Sequence, residues 1–162
     1  MELKSSKILS LHSLKNIVRK LKEKGKIIVL TNGAFDLLHY GHINYLKEAK
    51  ENGDILIVAV NSDNSVRRLK GEGRPIIDEK GRAYLVASLK VVDYVIIFEE
   101  DNVKRILSEL MPHLHIKGPD YSVETVAESK FSSSLGIETR IVGKSKEQST
   151  TDIIKRVRVL YG

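Results

Sequence analysis

Two histidines, His39 and His42, stand three residues apart behind the segment Thr31-Asn32-Gly33-Ala34-Phe35-Asp36, with Gly41 between them. If a helix starts near this point, residues at that spacing share one of its faces. The free backbone N–H groups and the dipole of such a helix start favour phosphate. Gly33 allows the backbone to turn sharply and to approach a bulky anion, and Gly41 removes a side chain that would block a ligand. Two imidazole donors in this setting form a cradle suited to a triphosphate. Zinc is the other chemistry open to a histidine pair, but it needs at least a third protein ligand, and the chain has neither an HExxH motif nor a cysteine. The same two residues could also be ordinary core or surface histidines. Their place directly after a buried strand favours a site.

Several elements must position that turn. Residues 26–31 and 54–60 are apolar runs rich in β-branched residues without polar alternation, the pattern of strands covered on both faces. Residues 94–98, 114–116 and 139–142 predict three more strands. Helical patterns occupy 13–23, 43–51, 81–89, 102–110 and 150–160, with Asn102 as an N-cap and Pro112 as a stop. Strand and helix alternating in this way predict a parallel sheet with right-handed crossovers, layered by helices. With no internal repeat or linker, residues 1–162 are expected to form one domain. Ligands in such sheets bind beyond the carboxyl ends of the strands. Asn61 and Asp63 follow the second strand, in what composition alone reads as a polar turn. Lys70 opens the basic, glycine-rich stretch Lys70-Gly71-Glu72-Gly73-Arg74-Pro75, able to fold over phosphates or to serve as a plain connector. Arg82 lies on the next helix, where a solvated charge is its simplest role. Lys117, Gly118 and Asp120 follow the fourth strand. Ser149, Thr150 and Thr151 would cap the last helix, a role compatible with phosphate binding at the same helix end.

The composition narrows the classes. The 162 residues include 41% hydrophobic and 30% charged types, as in a soluble globular protein. Without cysteine there are no disulfides, thiolate zinc sites or cysteine nucleophiles. No apolar run approaches a membrane span, and the polar start is not that of a signal peptide, so a cytoplasmic protein is expected. The net charge of +6 favours an anionic partner. Nucleic acid is not expected, because the lysines and arginines are scattered and form no dense basic block.

The segment from Gly33 to His42 resembles the signature of the cytidylyltransferase-like nucleotidyltransferases. Ser149-Thr150-Thr151-Asp152-Ile153-Ile154-Lys155 is similar to that family's second hallmark, an Ile-Ser-Ser-Thr-like stretch opening a helix. The two lie more than a hundred residues apart and in the family's order. Val60-Asn61-Ser62-Asp63, Leu69-Lys70-Gly71, Arg74-Pro75, Val92-Asp93, Phe98-Glu99-Glu100-Asp101 and Lys117-Gly118-Pro119-Asp120-Tyr121 further resemble the heptose 1-phosphate adenylyltransferases, from about Leu14 to Val157. A departure is Pro119, where that family usually has a second glycine; proline removes an N–H there.

The resemblance implies a Rossmann-like α/β three-layer sandwich around a five-stranded parallel sheet. It implies transfer of AMP from ATP, with Mg2+, to heptose 1-phosphate, giving ADP-heptose and pyrophosphate for the lipopolysaccharide core. A stand-alone form without a kinase half and a homodimer are also expected. By the same resemblance, His39 and His42 meet the β- and α-phosphates and are catalytic with Lys70 and Arg82, which neutralise the acceptor's phosphate. Thr31, Asn32, Gly33, Ala34, Phe35 and Gly41 shape the nucleotide pocket, joined by Asn61, Asp63, Lys117, Gly118, Ser149, Thr150 and Thr151. Asp36 links to the metal or to a substrate group, and Asp120 accepts from ribose or amino groups. The attacking phosphate is already ionised at neutral pH, its second pKa being about 6. No general base is required, so positioning and electrostatic stabilisation carry the reaction. Glycerol-3-phosphate cytidylyltransferase and a synthetase of flavin adenine dinucleotide share the HxGH motif and stand as alternatives.

Overall fold

The computed structural model describes residues 5–143 and 149–162. The chain runs α1 (Leu11–Glu23), β1 (Ile28–Gly33), α2 (Tyr40–Lys50), β2 (Ile55–Asn61), α3 (Asp63–Lys70), α4 (Glu79–Ala87), β3 (Tyr94–Phe98), α5 (Lys104–Leu110), β4 (Leu114–Lys117), α6 (Ser129–Ser134), β5 (Glu138–Ile141) and α7 (Thr150–Tyr161). The five strands are all parallel, in the order β3-β2-β1-β4-β5. The expected Rossmann-like α/β sandwich is therefore what the sequence folds into.

Alternation along the central strands builds one core on each sheet face. Val29, Leu56, Val58 and Val60 point to the side covered by α2 and α4, with Leu46, Ala83 and Val86. Ile28, Leu30, Ile57 and Ala59 point to the side covered by α1 and α5, with Leu14, Val18, Ile106 and Leu107. Each fully buried aliphatic side chain contributes about 1.5–3 kcal/mol, so the two middle strands anchor the fold.

The chain steps outward from β1 through β2 to β3, then returns to place β4 on the other side of β1. The gap beyond the carboxyl ends of β1 and β4 is the topological switch point, where such sheets bind ligands. The register pairs Thr31 with Ile116 and Leu30 with His115. One step further, Asn32 and Lys117 stand side by side on one sheet face, at the mouth of that gap.

Two helices are absent from the sequence expectation. α3, where a polar turn was expected, is nearly all polar and charged; Ser62 caps it, its Oγ accepting from Ser65 N at 3.1 Å, and only Ser65 and Val66 are buried. α6 is largely serine and has no apolar period to reveal it. Asn102 is not the N-cap of α5; Val103 is, and Asn102 Oδ1 accepts from Lys104 N at 3.2 Å from one residue earlier.

Candidate active site

A cavity of about 490 Å3 opens at the switch point, within the usual size of a small-molecule site. The β1–α2 turn supplies Asn32, Gly33, Ala34, Phe35, Asp36 and His39 to its wall, and α2 adds Gly41 and His42. Asn61 comes from the end of β2 and Lys70 from the end of α3. Lys117, Gly118 and Asp120 come from the far side, and Thr150 from the first turn of α7. Segments distant in sequence thus meet around one space.

The histidines are paired. Their ring centroids lie 4.0 Å apart, and Phe35 packs against His42 at 5.4 Å. His39 is the N-cap of α2. Its backbone N–H donates to His42 Nδ1 at 3.4 Å, which leaves the His42 proton on Nε2. The N-terminus of α7 reaches the same cavity through Thr150, so two helix starts add partial positive charge to it.

The turn is built differently from the sequence reading. The left-handed residue is Phe35, at φ 49°, not Gly33. Gly33 lacks a side chain for another reason: a Cβ there would lie 3.1 Å from the Phe35 ring. Asp36 is buried and its carboxylate accepts from Arg74 Nε at 2.5 Å and from the N–H groups of Ile76 and Ile77 at 2.7 and 3.0 Å. It fastens the loop before α4 to the turn, so most of its acceptor capacity is used within the protein.

Arg82 corrects a second expectation. It is wholly buried and is not on the cavity wall. Its guanidinium donates to Ala34 O (2.6 Å), Ile77 O (2.9 Å) and Asp63 Oδ1 (2.8 Å). Those three contacts tie the β1–α2 turn, the loop before α4 and the start of α3 together. Asp63 is accordingly the partner of Arg82 and does not line the cavity. Thr31 is buried under it, its hydroxyl bonded to Tyr45 Oη. Ser149 both accepts from Asp152 N (3.1 Å) and donates to Asp152 Oδ2 (2.6 Å), so its hydroxyl is spent on the cap. Thr151 is exposed and off the wall.

Several wall residues were not singled out from the sequence. Tyr45 and Glu48 follow His42 at intervals of three on α2, a helical signal that could have found them. The Tyr45 hydroxyl donates to Ile116 O at 3.0 Å, and burial pushes its pKa far up. Glu48 accepts from Gly143 N at 2.7 Å. Glu128 comes from a stretch with no periodic signal and is buried. His115, interior to β4, lies beneath the wall with Nε2 2.9 Å from Asn32 Oδ1. Burial, helped by the Lys117 charge, pushes its pKa down to about 3. Burial likewise lowers the Lys117 ammonium, with Glu128 opposing the shift.

Positive charge and fixed N–H donors around a space of this size are the equipment of a nucleotidyltransferase, and likeness to known proteins puts the chain in that class of enzyme. It belongs to the cytidylyltransferase-like family, whose model matches residues 30–156. The chain is 46% identical over 157 residues to a protein of Geobacter metallireducens named bifunctional protein HldE, and 45% identical over 153 residues to one of the same name from Actinobacillus succinogenes. These alignments cover 97% and 94% of the chain but 32% of each relative, so the chain spans about a third of their length. A solved structure of a lipopolysaccharide core biosynthesis protein from Thermoplasma volcanium is similar at TM-score 0.64 and 38% identity, covering 76% of this chain and all of that one.

Two outcomes are expected. Arg82→Met should lower the unfolding free energy of the ligand-free protein by about 2–4 kcal/mol, because buried acceptors and Asp63 lose their donor; denaturant unfolding measures it. An unchanged midpoint would show that Arg82 does not brace the turn. For His115 the unfolded chain takes up a proton below its ordinary value of 6.5 while the folded chain resists down to about 3. Stability contributed by neutral His115 is thus intact above pH 6.5 and falls with pH below it, by at most about 1.4 kcal/mol per unit. His115→Leu should flatten that acid slope between about pH 6 and pH 4, and equal slopes would contradict it.

Proposed function

We propose that this chain transfers AMP from ATP to heptose 1-phosphate, releasing pyrophosphate and forming ADP-heptose. The single observation that carries the reading is the paired imidazoles of His39 and His42, 4.0 Å apart at a helix start on the wall of a triphosphate-sized cavity. Likeness to a protein named for lipopolysaccharide core biosynthesis supports a sugar phosphate as acceptor.

The chain's own residues perform the steps as follows. Gly33 and the start of α2 admit the triphosphate close to the backbone. His42, with its proton on Nε2, donates to the α-phosphate, and His39 to the β-phosphate. Lys70, reaching in from α3, and Lys117, opposite it on β4, offset the repulsion between nucleotide and acceptor phosphate. The acceptor's phosphate oxygen attacks the α-phosphorus, and the bond to the pyrophosphate oxygen breaks. The charge that gathers on the leaving group is met by donors already in place. Asp120 accepts from the nucleotide's ribose or base. The first turn of α7, through Thr150, adds backbone donors.

The magnesium expected with ATP is proposed to ride on the triphosphate's own oxygens and water, as this ion commonly does. Its part would be to neutralise phosphate charge; Asp36, engaged by three donors, is not assigned to it. Among the described residues no helix is long and apolar enough to cross a membrane, and we propose a cytoplasmic enzyme. A homodimer is proposed from the resemblance. It is supported by α7, which buries no residue and leaves Val159, Leu160 and Tyr161 exposed.

Pyrophosphate release from ATP or CTP with heptose 1-phosphate, glycerol 3-phosphate or flavin mononucleotide tests the reading. Turnover should be highest with ATP and heptose 1-phosphate; a preference for CTP with glycerol 3-phosphate, or for the flavin, would replace it. In the preferred pair, His42→Ala should lower kcat about a hundredfold, roughly 3 kcal/mol, with folding spared. Near-normal turnover would remove His42 from the chemistry. Lys70→Ala should chiefly raise KM for the acceptor, and unchanged kinetics would strike out its assignment.

A further inference from the structure

Behind the cavity wall, His115 makes a contact that the fold does not require. It occupies an interior position of β4, wholly buried, where an aliphatic residue would pack. Among the described residues its Nδ1 has no hydrogen-bond partner, which costs stability that leucine at the same place would not. Its Nε2 lies 2.9 Å from Asn32 Oδ1, and Lys117 Nζ lies 3.4 Å from the same oxygen.

This pair of neighbours fixes which way the Asn32 amide faces. A histidine alone would not, since its ring can donate or accept depending on tautomer. Lys117 removes the ambiguity, because an ammonium can only donate. The atom turned inward must therefore be the oxygen, and His115 must carry its proton on Nε2 in order to donate as well. With Oδ1 held from behind, the amide nitrogen of Asn32 is left to face the cavity that Asn32 lines. It carries two N–H donors beside the paired imidazoles.

We propose that His115 is a positioning residue that locks the Asn32 side chain with its N–H groups toward the cavity, where they donate to a phosphate oxygen of the bound ligand. What those N–H groups meet rests on the nucleotidyl-transfer reading; the lock itself does not. Without His115 only the longer contact to Lys117, at 3.4 Å, holds that oxygen, and the amide rotates more readily. Its oxygen would then face the phosphate for part of the time, replacing attraction by repulsion.

The lock is tested first on the ligand-free protein, by long-range proton–nitrogen correlation spectra of the histidine rings, with the His115 signals assigned by their loss in His115→Leu. His115 should appear as the neutral Nε2–H tautomer from about pH 8 down to about pH 5. The Nδ1–H tautomer, or an imidazolium in that range, would overturn the proposal whether or not the protein turns over any substrate. Kinetics test the consequence. His115→Leu should lower kcat/KM for pyrophosphate release about tenfold, the effect of losing one hydrogen bond to a charged group, while its thermal midpoint stays at or above that of the parent. His115→Gln, which can donate to the same oxygen, should recover most of the loss. In an Asn32→Ala background His115→Leu should have no further effect; independent, additive losses would overturn the proposal. If the parent protein released no pyrophosphate with any pair tried, the functional reading would fail while the spectra still judged the lock.

Discussion

The site depends on one turn being held in one shape. Between β1 and α2 the backbone must expose N–H groups, end a strand and aim two imidazoles at the same space within a few residues. It does so through Phe35 in the left-handed region, a conformation that costs a side-chain-bearing residue about 1 kcal/mol or more. The surroundings offset that cost. Ala34 O is gripped by Arg82, Asp36 is held by Arg74 and two backbone N–H groups, and the Phe35 ring fills the space left open by Gly33 and packs against His42. The same contacts draw in the loop before α4 and the start of α3. Lys70, at the other end of α3, is thereby brought to the cavity. Charge that a reader of the sequence would send to the ligand is used instead to keep the ligand's seat from moving.

The rest of the wall follows from sheet order. Reversal of the chain's direction of growth at β1 leaves its carboxyl end open between β2 and β4, and the register then sets Asn32 beside Lys117. Around this gap the protein gathers donors and places most carboxylates where they are occupied. Asp36 is bound by Arg74 and Glu48 by Gly143 N. Such a wall suits a reaction whose nucleophile is already ionised and whose difficulty is bringing polyanions together. Preorganised donors do that without reorganising during the step.

Much of this was legible in the chain. The two middle strands were readable because burial on both faces demands unbroken β-branched runs, and the histidine pair because its spacing is helical. The motif after β4 was readable because ligands gather beyond strand ends. The rest had no one-dimensional signal. α3 is held by its cap and by contacts at the sheet edge, so it carries almost no apolar period, and the serines of α6 carry none. Arg82 looks the same in sequence whether it meets a phosphate or a carbonyl; only its burial and three acceptors decide. Asp36 likewise reads as a metal or substrate ligand, and only the structure shows three donors of the loop before α4 holding its carboxylate. Gly33 drew the turn to itself, although what crowds a side chain there is the Phe35 ring and not its φ. His115 sits in a run that reads simply as strand, and its meaning depends on Asn32, 83 residues earlier.

The central claim is that the turn and its paired imidazoles seat a triphosphate. It is met most directly by a crystal structure of the protein with an ATP analogue whose α,β-bridge is a methylene group. Phosphate oxygens are expected within hydrogen-bond reach of His42 Nε2 and of the His39 ring, with the chain of phosphates crossing the start of α2. A triphosphate bound elsewhere, or in the cavity with both rings turned from it, would contradict the account.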